Sequence, residues 1–225
     1  MNWMGLLSLA LSVLASLMCI TFHEVSHGYI AYRLGDDTAK RAGRLTLNPL
    51  RHIDPFGLLL MVVAHVGWAK PVPVDMRSFR HPRRGMALTA LAGPASNFIL
   101  AAIVSVCASL WYRTATFATL ASLLFFAFLC RLIILNVGLG LFNLIPVPPL
   151  DGSKILFSFL PDRIYRVILR YERYVMLAVV ALVFFGVLDA PLSRCINAVL
   201  FALCRVTGLP FGALAAGSQI LSIWG

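Results

Sequence analysis

The segment FHEVSH places His23 and His27 four residues apart, with Glu24 directly after the first histidine. On an α-helix such a pair shares one face, about 6 Å apart along the axis, so two imidazoles can turn toward a single ion. Glu24 is rotated by about 100° from His23, outside the ligand set yet within reach of a water beside the ion. Two zinc ligands plus a general base are the mechanical content of H-E-x-x-H. Two core histidines with satisfied hydrogen bonds are the ordinary alternative. Here that alternative is penalised, because the cluster closes the apolar run WMGLLSLALSVLASLMCITF. Ionisable groups inside a membrane segment are costly and by default functional.

A catalytic zinc takes three protein ligands and keeps a fourth position for water. The third donor should be His, Asp or Glu at the same bilayer depth. The remaining histidines are His52, His65 and His81, of which His65 lies in a short apolar element and the others in a basic loop. The strongest carboxylate is Asp151, in NLIPVPPLDG, although Asp-Gly also favours tight turns. On residue chemistry alone, Asp151 and His65 both stay open.

These side chains need a scaffold that holds them in lipid. Of 225 residues, 60% are hydrophobic and only 12% charged. A soluble domain carries about 25% charged residues, so here polar groups are too few to cover a water-facing surface. The chain reads as an integral membrane protein. Its net charge of +10 is not a nucleic-acid signal: ten of the 19 Lys and Arg lie between Arg33 and Arg84, and five between Lys154 and Arg173. Two basic loops between apolar spans are what the positive-inside rule produces on the cytoplasmic side. No aromatic-and-basic interleaving points to nucleic acid. The five cysteines are scattered singly, which indicates neither a thiolate zinc site nor a disulfide framework. The N-terminus lacks a basic n-region and reads as a mature span rather than a signal peptide.

The expected fold is an all-α membrane protein, a polytopic helical bundle of four to five transmembrane helices with a small β-rich membrane-associated insertion. It forms one domain over 1–225, with a catalytic core at about 3–154 and C-terminal helices at about 163–225. A first helix over Trp3–Tyr32 would extend about 45 Å, more than the roughly 30 Å hydrocarbon core, and leaves the His/Glu cluster near one bilayer face. Residues 38–85, with AGRLTLNPLRHIDPFG and GWAKPVPVD, read as short strands and turns. Between them LLLMVVAHV is too short to span and reads as re-entrant or interfacial. GWAKPVPV offers a strand edge for an unwound substrate. A second span follows the turn-like LAGPASN, whose Gly93, Pro94 and Asn97 shape its entry, and runs to about Trp111. A third covers about Phe117–Leu144, after which prolines at 146, 148 and 149 forbid regular helix. Residues 153–173 are basic, and a fourth span covers about Tyr174–Leu188. The tail from Pro191 is either a fifth span or an interfacial hairpin. His52 and Asp54 fix the loop, and Arg131, midway along the third span, pairs with a carbonyl or faces a water-filled cavity.

FHEVSH, LNPLRHIDPFG, GWAKPVPV, AGPASN and the Asn-x-x-Pro…Leu-Asp-Gly run follow one another from Phe22 to about Lys154. In that order they resemble the site-2 protease family of intramembrane zinc metalloproteases. The resemblance implies His23, His27 and Asp151 as ligands of one zinc ion and Glu24 as catalytic base. Asn143 stands at the family motif's asparagine, implying a hydrogen bond to substrate or to the developing oxyanion; the alternative is that it pins broken backbone. The implied reaction is hydrolysis of peptide bonds within or near transmembrane segments of membrane-protein substrates. The implied partners are such a transmembrane protein or peptide and the lipid bilayer. The implied location is the cell membrane, multi-pass, with the site nearer the cytoplasmic face. Two other readings compete: an ion or proton transporter using the His/Glu cluster as a relay, and a catalytically silent scaffold, against which the intact Glu24 argues.

Overall fold

A computed structural model of the chain describes residues 3–57 and 70–220. Its helices include α1 (Trp3–Arg33), α2 (Thr38–Arg41), α3 (Pro82–Thr114), α4 (Leu120–Asn143), α5 (Asp151–Phe157), α6 (Asp162–Phe184), α7 (Asp189–Thr207) and α8 (Phe211–Gln219). Four of them, α1, α3, α4 and α7, are long and apolar enough to cross a membrane.

The sorting of residues on α3 says which solvent surrounds it. Ile99, Ile103, Val106 and Leu110 form its exposed stripe, while Asn97, Ala101, Ser105, Ala108 and Ser109 are buried. A helix packed in water would bury the large apolar side chains and expose the polar ones. In lipid the order inverts, because small residues let helix backbones approach and large apolar ones face the acyl chains. The protein is an integral membrane protein. Its core joins Ala15 and Cys19 of α1, Ala101, Val104 and Ala108 of α3, and Cys130, Ile133 and Val137 of α4. α4 is the central helix, touching α1, α3, α7 and α8.

Several sequence expectations are corrected. LAGPASN is no turn: α3 begins at Pro82 and runs straight through it, with Pro94 inside the helix. Pro94 lacks the N–H that would reach the carbonyl of residue 90, a loss a packed bundle absorbs. The β-rich insertion is absent from the described residues, which contain no strand. Residues 38–54 and 70–81 instead form α2, single 3-10 turns at Pro49–Arg51 and Met76–Ser78, and irregular backbone, while 55–57 are helical. Within the expected strand edge, Pro71 and Pro73 supply no ladder donor, and the N–H groups of Lys70 and Val72 donate inside the chain. LLLMVVAHV, and His65 with it, lies outside the described residues. α7, in the tail after Leu188, is one of the four long apolar helices, and the expected span Tyr174–Leu188 falls on α6, whose described part Arg173–Phe184 is a shorter apolar helix. There, a single helix α6 continues from the basic segment, and a turn with Gly186 at φ +68° separates it from α7. At the far end of α7, Arg113 of α3 donates to the carbonyl of Gly208 at 3.1 Å. Arg131 is buried, and its Nη2 donates to Ser8 Oγ of α1 at 2.9 Å, a hydroxyl rather than a carbonyl.

His52 and Asp54 serve the loop: His52 Nε2 donates to the carbonyl of Thr46 at 2.9 Å, and Asp54 Oδ1 accepts from the Gly57 amide at 2.9 Å. Asp36, at the end of α1, is fully buried. Its Oδ1 accepts from Thr38 N at 3.0 Å and Thr38 Oγ1 at 2.5 Å, and its Oδ2 from Asp75 N at 2.7 Å. Burial pushes this carboxyl up, but the Thr38 and Asp75 donors and the Arg41 charge outweigh it and hold it below the usual range. Its stabilising effect is therefore complete above the unfolded-state value of about 4 and lost as pH falls through the lower folded-state value. Asp36→Ala is expected to cost about 1–3 kcal/mol at pH 7 by leaving buried donors unpaired. Thermal unfolding between pH 7 and pH 3 checks this, the variant showing a flatter acid limb.

Candidate metal centre

The last third of α1 carries His23, Glu24 and His27, and the first residue of α5 is Asp151. The fold closes the gap between them. His23 Nε2 and His27 Nε2 each lie 3.1 Å from Asp151 Oδ2, and 3.0 Å from one another. All three side chains are buried, and among the described residues they are the group that could hold a metal ion.

The tautomer follows from the next contact. His27 Nδ1 lies 2.7 Å from the carbonyl of Thr89 on α3, and a carbonyl only accepts, so Nδ1 carries a proton and Nε2 is the ring atom available to an ion. Three atoms able to hold an ion, Nε2 of both histidines and Asp151 Oδ2, thus converge on one point. Zinc bonds of about 2.0–2.1 Å set tetrahedral edges near 3.3 Å, so two imidazoles and a carboxylate at this spacing suit zinc with one position left open. The residues present fit the ion.

Neighbours hold this geometry. Lys154 Nζ donates to Asp151 Oδ1 at 3.1 Å, so one carboxylate oxygen faces the histidines and the other a cation. Asp151 reaches its place because Gly152 seats on the end of α4, where a Cβ would lie 2.2 Å from the Leu144 carbonyl oxygen. Gly93 of α3 backs directly onto the histidines. A Cβ there would come within 2.4 Å of His27 Nε2 and 2.6 Å of His23 Cε1. Overpacking of this kind costs about 1–3 kcal/mol where the surroundings can yield. Gly93→Ala is expected to weaken zinc binding by about tenfold or more, read by chelator competition on folded protein.

Glu24 follows His23 on α1 and is not among the three converging residues, and its Oε2 accepts from the Val72 amide at 2.8 Å. Asn143, at the end of α4, donates from Nδ2 to the Leu139 carbonyl at 3.0 Å.

The family model described as Peptidase family M50 matches residues 109–186, which include Asn143 and Asp151. The chain is 43% identical over 167 residues to "Putative zinc metalloprotease YwhC" of Bacillus subtilis, an alignment covering 72% of this chain and 74% of that protein. The chain belongs to peptidase family M50. Relatives at lower identity cover more of it: "Putative zinc metalloprotease Rip2" of Mycolicibacterium smegmatis is 29% identical over 212 residues, 92% of this chain and 78% of that protein. Rip2 of Mycobacterium tuberculosis H37Rv is 29% identical over 214 residues, again 92% of this chain and 78% of that protein. No solved structure shows a significant match.

For this M50 chain, sequence reasoning did not single out Thr89, Lys154 or Val72. Thr89 and Val72 act through backbone atoms, which leave no mark in side-chain chemistry. Lys154 stands three residues after Asp151 in the first turn of α5, a spacing that could have flagged it. Gly93 was assigned to the entry of a span, not to the histidines.

Proposed function

We propose that the chain is an intramembrane zinc endopeptidase, hydrolysing peptide bonds within or near membrane-spanning segments of membrane-protein substrates. The observation that carries this reading is the meeting of His23, His27 and Asp151, with Glu24 next to the first histidine, at the end of an apolar helix. Membership of M50 supports it.

In this reading His23 Nε2, His27 Nε2 and Asp151 Oδ2 hold one zinc ion, which when bound acidifies water and polarises the peptide carbonyl. Glu24 takes a proton from the attacking water and returns it to the leaving amine. Asn143, which spends one amide N–H on the Leu139 carbonyl, offers its second to the substrate carbonyl. The substrate helix must unwind locally before attack, since its carbonyls are already hydrogen-bonded. We assign the basic loops to the cytoplasm, which sets the site nearer the cytoplasmic face of the cell membrane. Residues 1–225 act as one domain, with the catalytic core over about 3–154.

The test is cleavage of a transmembrane peptide by purified, zinc-loaded protein in lipid vesicles, with products identified by mass spectrometry. Cuts within or beside the apolar segment are expected, and so is their loss on chelation and return on adding zinc. Chelator-insensitive cleavage, or none by the loaded protein, would contradict the reading.

A further inference from the structure

The segment Lys70–Asp75, KPVPVD, lies across the end of α1 and is pinned at several points. Lys70 N donates to the His52 carbonyl at 2.9 Å, and Asp75 N to Asp36 Oδ2 at 2.7 Å. Buried Arg44 donates from Nη2 to the Lys70 carbonyl at 2.5 Å. Between these anchors the Val72 N–H donates to Glu24 Oε2 at 2.8 Å. Pro71 and Pro73 flank Val72 and have no N–H, so no adjacent amide competes for the carboxylate. The Val72 side chain is buried, and a Cβ on Gly28 of α1 would lie 3.0 Å from its Cγ1. The strap therefore has a fixed height above the helix that carries Glu24.

We propose that this strap is a positioning element for Glu24, and that Val72 acts on it through the backbone N–H. The inference rests on Glu24 being the base. A glutamate carboxylate on a free side chain samples many orientations, whereas proton transfer needs one. An amide donor fixed by the fold holds Oε2 and leaves Oε1 for the proton of the attacking water. The flanking prolines restrict the strap before any substrate arrives, so little is lost in ordering it. Val72 is a positioning residue, touching neither substrate nor metal in this account.

Val72→Pro removes the donor while keeping an apolar residue in an already proline-rich segment. Val72→Ala keeps the donor and trims the side chain. Both are compared with wild type and Glu24→Gln in zinc-loaded vesicles, on one transmembrane peptide. A misplaced catalytic group typically costs about 10²-fold. Val72→Pro is expected to lose kcat on that order, about 10- to 100-fold, with KM and zinc content unchanged, and Val72→Ala, which keeps the donor and loses only packing, to fall by clearly less than Val72→Pro. Three results would overturn the proposal: Val72→Pro cleaving as fast as wild type or faster, a rise in KM with kcat intact, or Val72→Ala falling as far as Val72→Pro. If Val72→Pro does not fold or bind zinc, Arg44→Met decides the matter, since it loosens the strap while keeping the Val72 N–H. A fall in kcat at constant KM and zinc content supports positioning, and an unchanged kcat overturns it. Absence of cleavage by wild type would instead indict the protease reading itself.

Discussion

Glu24→Gln is expected to abolish cleavage while leaving zinc near one per chain. The two demands separate because Glu24 is not among the three residues whose donor atoms converge. Gln has nearly the shape of Glu, and its side-chain carbonyl can still accept from the Val72 amide that now meets Oε2 at 2.8 Å. The local fold and the strap are therefore kept. A carboxamide cannot take a proton from water at neutral pH, so the step that generates the nucleophile and the one that protonates the leaving amine both fail. Acid–base help of this kind contributes about 10²–10⁴ in rate, and a loss of that size is expected in single-turnover cleavage. Metal content by mass spectrometry supplies the second readout. Near wild-type cleavage by Glu24→Gln would show that another group is the base.

Asp151→Ala is expected to lose zinc and activity together. Its Oδ2 is the point at which the donor triangle closes, 3.1 Å from each histidine. Without it two imidazoles remain, and the Lys154 ammonium, deprived of its 3.1 Å contact with Oδ1, adds an uncompensated positive charge beside them. Two neutral ligands next to a free cation hold a dication poorly. The turn itself should persist, because Gly152, which seats on the Leu144 carbonyl, is untouched. A residue serving only the turn would cost stability and spare the metal. His65→Ala is expected to retain both zinc and activity. Full zinc occupancy in folded Asp151→Ala would remove Asp151 from the ligand set.

The sequence by itself determined what depends on local geometry and on solvent. The helical repeat dictates that His23 and His27 share a face, and the long apolar runs require lipid. Punctuation was read less well. Gly93 and Pro94 looked like a turn because in an isolated helix they would break it, yet inside the bundle the helix runs on and uses the missing Cβ to let the histidines approach. The tail from Pro191 stayed ambiguous because its arginines shorten the apolar run, while the folded chain carries α7 through Arg194 and Arg205 as one helix. Residue chemistry alone left Asp151 and His65 both open, and it is the fold that brings Asp151 to the histidines: His23 and Asp151 are 128 residues apart in the chain, and no short-range rule links residues at that separation. The fold also decided the roles of the Thr89 carbonyl and the Val72 amide. Every residue but proline carries the same backbone groups, so only their placement in space distinguishes these two.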